Sequence, residues 1–268
     1  MIRRLPAVYR AKFRSELALQ LAYRWAILIW LLGLILEPTV SLVVWRTVAD
    51  SQGGSVAGFA AGDFAAYFAV LMIVNQLTFT WHFGFFSYRV REGYFSPLLL
   101  RPVHPVHNDV AENLTFKLMT FTVVIPVAIF LIVSFGARFA TDASHLVAAI
   151  PAIGLAMVLR FLVEWTLGTA AFWLTRTSAL NQAYYVVMLF LSGQVAPLTL
   201  LPGAIQAIAT ILPFRWMVAF PVDVALGRLP MSDVLSGLAM QLVWIGVAVI
   251  VLRTAWRAGI RRYSAVGA

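Results

Sequence analysis

The sequence has no cysteine, only two lysines and few charged residues of either sign. Without cysteine, a disulfide, a thiolate nucleophile and a thiolate-ligated metal are excluded. Charged residues make up 12% of the 268 residues, about half the share found in soluble domains. The apolar fraction of 62% is the reverse of a disordered composition. The remaining class is a polytopic membrane protein.

The scarcity of lysine also excludes one kind of ATPase site. A P-loop places lysine between glycine and a serine or threonine, because its backbone cradles phosphates. Lys12 follows Ala11 and Lys117 follows Phe116, so neither belongs to such a loop. The chain is therefore predicted not to hydrolyse ATP by that route.

Other catalytic chemistry has little support in the sequence. His104 and His107 are three residues apart, but no carboxylate completes a metal-binding set, and no metal site is predicted. Ser192-Gly193 lacks the earlier glycine of a hydrolase motif, since position 190 is phenylalanine. No histidine follows His145 to act as its base, so a serine hydrolase is not expected.

Apolar runs long enough to cross a bilayer recur along the chain. They predict an all-α protein with a single transmembrane domain of six spans over residues 25–256. The spans are expected at about 25–47, 64–88, 114–137, 146–175, 180–197 and 234–256. No cleavable signal peptide is expected, because the first run is longer than the apolar core of a signal sequence.

One uncharged stretch, residues 177–214, is too long for one span and too short for two spans with a turn. Proline breaks helix interiors, and Pro197, Pro202 and Pro213 interrupt this stretch. We expect the fifth span to be followed by a re-entrant helical segment over 200–220, on the outer side. Such backbone is tolerated at membrane depth only where protein or a cavity covers it.

Arginine and lysine are distributed unevenly between the two faces that six spans imply. Fifteen lie on the face of the termini, among them Arg3, Arg4 and Lys117, and four lie on the other face. By the positive-inside rule both termini are predicted to be cytoplasmic, with residues 257–268 as a tail. Because topology explains the basic excess, nucleic acid is not expected as a partner.

Residues 1–24 are predicted to form an amphipathic interfacial helix on the bilayer surface. Its apolar residues recur every fourth position: Leu5, Tyr9, Phe13 and Leu17. Arg10 and Arg14 fall on another face. The alternative is a topology signal that happens to be helical.

Charged residues inside a predicted span are functional candidates by default, and Glu37, Arg160 and Glu164 are three of them. Arg160 and Glu164 are four apart in span four, so they share a face and can pair. They form either a self-neutralising packing pair or a polar patch facing the pathway or a partner. Glu37 precedes Pro38 in span one and lies either near an interface or at mid-span.

The predicted loop between spans two and three, residues 88–112, combines charge, three prolines, Gly93 and an apolar core. A plain connection needs only a few residues. We therefore expect a docking element for a cytoplasmic partner; the alternative is a rigid loop with no partner. Asp109 and Glu112 have the spacing of a capping box ahead of span three.

These features together resemble the permease subunits of type-2 ABC exporters, in particular the six-span bacterial branch. The resemblance covers essentially the whole chain. Its most specific parts are Glu92-Gly93 to Leu100-Arg101-Pro102 and Ser192 to Leu198, followed by Leu201-Pro202 and Leu212-Pro213.

The resemblance implies a coupling loop that sits in a cleft of an ATPase. Its implied contact residues are Glu92, Gly93, Leu98, Leu99, Arg101 and Pro102. It also implies the re-entrant segment marked by Pro197, Pro202 and Pro213. The chain would export a substrate across the bacterial cytoplasmic (inner) membrane.

The implied partners are a second permease, of the same or a different chain, and an ABC-type ATPase dimer. ATP and magnesium would bind in that ATPase, which would carry out any ATP hydrolysis. This chain would then not be an enzyme, and no cofactor is expected in it. Three other functions stay open. They are an ion-coupled secondary transporter working without an ATPase, a membrane enzyme acting on lipids, and a scaffold that transports nothing.

Overall fold

The computed structural model describes residues 5–263, apart from the side chains of Leu5 and Leu34. Arg3, Arg4 and the last part of the predicted tail, residues 264–268, lie outside the described residues. The strands described are β1 (Ser55–Val56) and β2 (Phe59–Ala60), which pair as an antiparallel hairpin.

The rest of the described chain is mainly helical. In chain order the α-helices are α1 (Leu5–Ala22), α2 (Arg24–Ser51), α3 (Ala61–Thr78), α4 (His82–Arg91), α5 (Ser96–Leu99), α6 (Pro105–Ser134), α7 (Ala143–Gly168), α8 (Ser178–Leu191), α9 (Gly203–Ile211), α10 (Phe214–Met217), α11 (Ala219–Ala225) and α12 (Met231–Ile260). Two 3₁₀ turns cover Thr169–Phe172 and Leu198–Leu200.

Within residues 5–263, five stretches are long and apolar enough to cross a membrane. They are Arg24–Ser51, Ala61–Arg91, Pro105–Ser134, Ala143–Phe172 and Met231–Ile260. The prediction of an all-α polytopic membrane protein is confirmed at this level. The second stretch is the central one, with 67% of its apolar window buried, whereas only 18% of the α2 window is buried.

The bundle has two ends, which we call the loop end and the hairpin end. The loop end is where α4 stops and α6 starts, and the hairpin end carries β1 and β2. At the hairpin end, Asp142 caps α7 by accepting hydrogen bonds from the Ser144 hydroxyl (2.7 Å) and the His145 amide (2.9 Å). These donors hold the pKa of Asp142 well below its usual value.

At the loop end, the predicted capping box of Asp109 and Glu112 is wrong. The cap of α6 is His104, whose Nδ1 accepts from the Val106 amide at 3.2 Å. Pro105 occupies the first turn, where a helix does not need its missing N–H. Asp109 and Glu112 consequently lie inside α6, and their side chains are free for other contacts.

The second predicted span is not a continuous helix. Between α3 and α4, residues 79–81 leave the helical conformation. A break at membrane depth frees backbone groups that need partners. The Phe79 carbonyl accepts two hydrogen bonds, one from Lys117 Nζ at 3.0 Å and one from Asn113 Nδ2 at 3.2 Å. The break is therefore stabilised from α6.

Lys117 was counted among the basic residues of the predicted cytoplasmic face, and this is wrong. It lies well inside α6 and is only 5% exposed. Burial is possible because Asn113 and the Phe79 carbonyl both accept from its ammonium group. The predicted cytoplasmic face therefore has one basic residue fewer than was counted from the sequence. It still has more arginine and lysine than the opposite face.

The apolar stripe of α1 faces protein. The Tyr9 hydroxyl lies 2.9 Å from His107 Nδ1, and Tyr9 and Phe13 line a small cavity with Ala111 of α6. Leu17 is half-buried, and Gln20 on the same side is buried. This side of α1 therefore packs on α6, which differs from a stripe that meets only the bilayer.

Helix α8 is shorter than the predicted span 180–197. Its 14 residues extend about 21 Å at 1.5 Å per residue. The chain beyond it continues toward the hairpin end, where Trp45 Nε1 donates to the Val195 carbonyl at 2.9 Å. Together, α8 and this extension run from one end of the bundle to the other.

The segment from α9 to α11 enters the bundle and returns to the hairpin end. Gln241 Nε2 donates to the Trp216 carbonyl at 2.8 Å, about 15 Å along α12 from its start. Farther along, His145 Nε2 lies 2.8 Å from the Leu229 carbonyl at the start of α7. Gly237 permits the return, because an added Cβ would overlap the Phe220 ring.

Candidate functional site

The connection between α4 and α6 covers residues 92–104 and contains the short helix α5. The predicted loop 88–112 is too long at both ends, because 88–91 belong to α4 and 105–112 belong to α6. Gly93 has a φ of +75°, a conformation that other residues resist. This turn directs the chain from α4 into α5.

One face of this loop is anchored in the protein. Phe95 is fully buried, and its ring centroid lies 5.0 Å from that of Phe86 and 5.6 Å from that of Phe172. Leu98 and Leu99 pack at the edge of the same aromatic cluster. These two leucines are thus partly used inside the chain, where the sequence predicted them to fill a partner's groove.

The other face of the loop points away from the bundle. Leu100 is 88% exposed and Tyr94 is 60% exposed. Glu92, Arg101 and Pro102 are exposed beside them, and Arg91 Nε donates to Glu92 at 3.0 Å. Sequence reasoning missed Tyr94; an aromatic residue next to a turn glycine is a weak signal without a structure.

Asp109 joins three helices directly beneath the loop. Its carboxylate is 1% exposed and accepts from Arg89 Nη1 of α4 at 2.7 Å. The other oxygen accepts from Trp165 Nε1 of α7 at 2.9 Å. Because Asp109 itself belongs to α6, one buried carboxylate connects α6 to both α4 and α7. The sequence spacing of Asp109 suggests a helix cap and gives no sign of these contacts between helices.

His82 and Glu112 complete a polar cluster around Asp109. The ligating atoms of the three lie within 4.8 Å of one another, a set that could hold a metal ion. However, Arg89 already faces both carboxylates, at 2.7 Å from Asp109 and 3.7 Å from Glu112. We interpret the cluster as an ion-pair group in which the guanidinium supplies the cation. Among the histidines of the sequence, only His104 and His107 are close enough together to suggest this chemistry.

The structure brings Arg160 and Glu164 together. Arg160 Nε donates to Glu164 Oε1 at 2.8 Å, and the two side chains are 5% and 1% exposed. Arg160 also donates to Asn75 Oδ1 at 2.7 Å, and the Tyr184 hydroxyl donates to Glu164 at 3.1 Å. The pair therefore connects α7 to α3 and α8, the geometry expected of a packing role.

Glu37 lies near the middle of α2, and its side chain is partly buried. Its Oε2 accepts from the Tyr185 hydroxyl at 3.2 Å, and its other oxygen has no hydrogen-bond partner among the described residues. The flanking Leu36 and Val40 are each 57% exposed. Among the described residues Glu37 makes no hydrogen bond to Arg160 or Glu164. Its partner Tyr185 is the chain neighbour of Tyr184, which donates to Glu164.

The three prolines of the predicted re-entrant segment each precede a helical element. Pro197 caps the 3₁₀ turn Leu198–Leu200, Pro202 precedes α9 and Pro213 precedes α10. At these positions proline breaks no helical hydrogen bond. The prolines divide the segment into short helices.

The long apolar helices define a polytopic membrane protein. A family model described as "ABC-2 family transporter protein" matches residues 35–267. The chain belongs to this family, which confirms the resemblance found in the sequence. Permeases of this kind are membrane components of transporters and are generally not catalytic. No match is found among curated proteins or among solved structures.

Proposed function

We propose that this permease forms the substrate pathway of an ATP-driven exporter in the bacterial cytoplasmic membrane. It would act as a dimer with a second permease, the same chain or a different one, and would be driven by separate ABC-type ATPase subunits. ATP and magnesium would bind in those subunits. The observation that carries the proposal is a loop anchored by Phe95 with exposed Tyr94 and Leu100.

The contacts beneath the loop support a route for the movement. Force applied to residues 92–104 acts first on α4 and α6, the helices that the loop joins. Asp109 then carries it to α7 through Trp165. The break at 79–81 lets α4 move more independently of α3 than in a continuous helix, because the helical hydrogen bonds are interrupted there. Docking of an ATPase at this loop thereby shifts the equilibrium between two packing arrangements of the helix bundle.

The proposed topology has six crossings with the loop end in the cytoplasm. The path of α8 and its extension toward Trp45 supports the fifth crossing. The return of α9–α11 to the hairpin end supports a re-entrant segment there. Exposed arginines at the loop end support the orientation, among them Arg101, Arg253 and Arg257.

The docking test substitutes Glu92→Ala together with Arg101→Ala. Truncating one partner of a buried charged pair costs about 2–5 kcal/mol, and each 1.4 kcal/mol is about tenfold in affinity. We expect at least tenfold weaker capture of co-expressed ABC-type ATPase subunits and loss of stimulated hydrolysis. Pull-down in one detergent measures the binding.

The matched control is Arg253→Ala with Arg257→Ala, two exposed arginines on α12 at the same end. The control should keep full binding. If the loop variant keeps it too, residues 92–104 are not the docking element. Transport by the purified permease without any ATPase would instead support the ion-coupled alternative.

A further inference from the structure

A cavity of ≈ 460 Å³ lies at the loop end between α4 and the start of α8. It is separate from the loop face and from the Asp109 cluster. Its polar lining comes from Ser87 and Arg91 on one side and from Arg176, Thr177, Ser178 and Asn181 on the other. The volume is within the range of about 300–1,000 Å³ typical of small-molecule sites.

The charge of this cavity is positive. Arg91 and Arg176 are both in the lining, which includes no acidic residue. Arg91 donates to the neighbouring Glu92, but both side chains are nearly half exposed, so water weakens that pair. Arg176 forms no ion pair or side-chain hydrogen bond among the described residues. Arginine stays charged at any physiological pH, so the excess is permanent.

The shape of the lining favours an oxyanion with an apolar tail. Guanidinium groups bind phosphate and carboxylate through paired N–H donors, and hydroxyls such as Ser87 and Ser178 add further donors. Toward the bundle interior the lining becomes aromatic, with Phe83 and Tyr185. A ligand with an anionic head and an apolar body satisfies both parts.

We propose that this cavity binds the anionic head group of an amphiphile, a phosphate or a carboxylate, between Arg91 and Arg176. The inference rests on the proposed function for its place in transport, because a substrate for export approaches from the cytoplasmic end. The same chemistry fits a membrane phospholipid or a transported anionic amphiphile. The probes used in the test distinguish a membrane phospholipid from a transported amphiphile.

The test measures binding to the purified full-length permease without its ATPase. Three probes are titrated in neutral detergent: phosphatidylglycerol, phosphatidylcholine and a soluble single-chain alkyl phosphate. Native mass spectrometry counts bound molecules, and the dissociation constants are compared. We expect the two anionic probes to bind more tightly than phosphatidylcholine. Tighter binding of phosphatidylglycerol identifies a lipid site, and tighter binding of the alkyl phosphate identifies a site for a soluble amphiphile.

The variant Arg91→Gln with Arg176→Gln should weaken binding of the preferred anionic probe at least tenfold, because each charged hydrogen bond is strong. Arg91→Lys with Arg176→Lys should bind this probe more tightly than the glutamine variant and less tightly than the wild type. Lysine keeps the positive charge but lacks the paired N–H donors of the guanidinium group. The control Arg253→Gln with Arg257→Gln should bind like the wild type. Size-exclusion elution checks that all variants are folded.

Equal weakening by the control pair would overturn the proposal, because it would indicate general surface electrostatics. Absence of any preference for anionic probes in the wild type would also overturn it. Neither result affects the docking test, which measures ATPase capture. Conversely, if the loop variant still captures the ATPase, the measurement of head-group binding remains valid. Failure of the proposed function can therefore be distinguished from failure of the head-group proposal.

Discussion

At the scale of single residues, Asp109 is a buried carboxylate that hydrogen-bonds side chains of two other helices. Asp109→Asn removes the charge that balances Arg89 and leaves that arginine with only the 3.7 Å contact to Glu112. Leaving one member of a buried pair without its partner typically costs about 3–5 kcal/mol. We expect a lower thermal unfolding midpoint and weaker ATPase stimulation.

The measurement for Asp109 is thermal unfolding in detergent, followed by the ATPase assay on the complex. Asp50→Asn is the control, because Asp50 is exposed at the end of α2 and makes no ion pair among the described residues. An Asp109 variant as stable as this control would show that the buried carboxylate does not hold the helices together.

The Arg160–Glu164 pair gives a test of packing against function. Removing either partner alone, by Arg160→Met or Glu164→Gln, leaves a buried group uncompensated and should destabilise by about 3–5 kcal/mol. Removing both should cost less than the sum of the single changes, since neighbouring sites couple. A double-mutant cycle on unfolding measures this.

Transport by the Arg160/Glu164 double variant then decides the role of the pair. If it is folded and still transports, the pair serves packing. A folded double variant without any transport would support a polar patch on the pathway, or the ion-coupled alternative.

At the scale of elements, the end of α8 depends on a glycine. Gly193 has a φ of +83°, and an added Cβ would lie 2.6 Å from the Tyr67 hydroxyl. That hydroxyl donates to the Gly193 carbonyl at 2.9 Å, so it cannot move away without losing a buried hydrogen bond. Gly193→Ala should destabilise by about 1–3 kcal/mol through backbone strain alone.

Gly246→Ala is the matched control for Gly193. Gly246 lies in α12, and apart from the neighbouring residues and backbone of its own helix no atom of the described residues lies within 4 Å of an added Cβ. Alanine favours a helix over glycine by up to about 1 kcal/mol, so this variant should be neutral or more stable. Equal effects of the two changes on the unfolding midpoint would contradict the role of the turn.

At the scale of the whole molecule, the six crossings can be tested directly because the chain has no cysteine. Single cysteines at the exposed positions Ser51, Thr199, Ser232 and Ala258 report on the two ends of the bundle. In intact cells, a membrane-impermeant thiol reagent should label the first three and leave the Ala258 position unlabelled. Labelling of Thr199 and Ser232 from opposite sides would show that α9–α11 crosses the membrane.

The sequence by itself determined the class of protein and the position of most helices. Apolar length is a local property, so the long runs predict helices without knowledge of their neighbours. The prolines at 197, 202 and 213 and the four-residue spacing of Arg160 and Glu164 are local as well. The family followed from the same short-range patterns.

Only the tertiary structure decided what occupies the interior. Residues 79–81 contain no proline or glycine, and their break depends on Lys117 and Asn113 from another helix. Asp109 meets Arg89 and Trp165, which are 20 and 56 residues away. A buried polar group must be paired, and its partner is chosen by packing and not by sequence distance. This is why spans and turns could be read from the sequence, while the buried polar contacts beneath the loop could not.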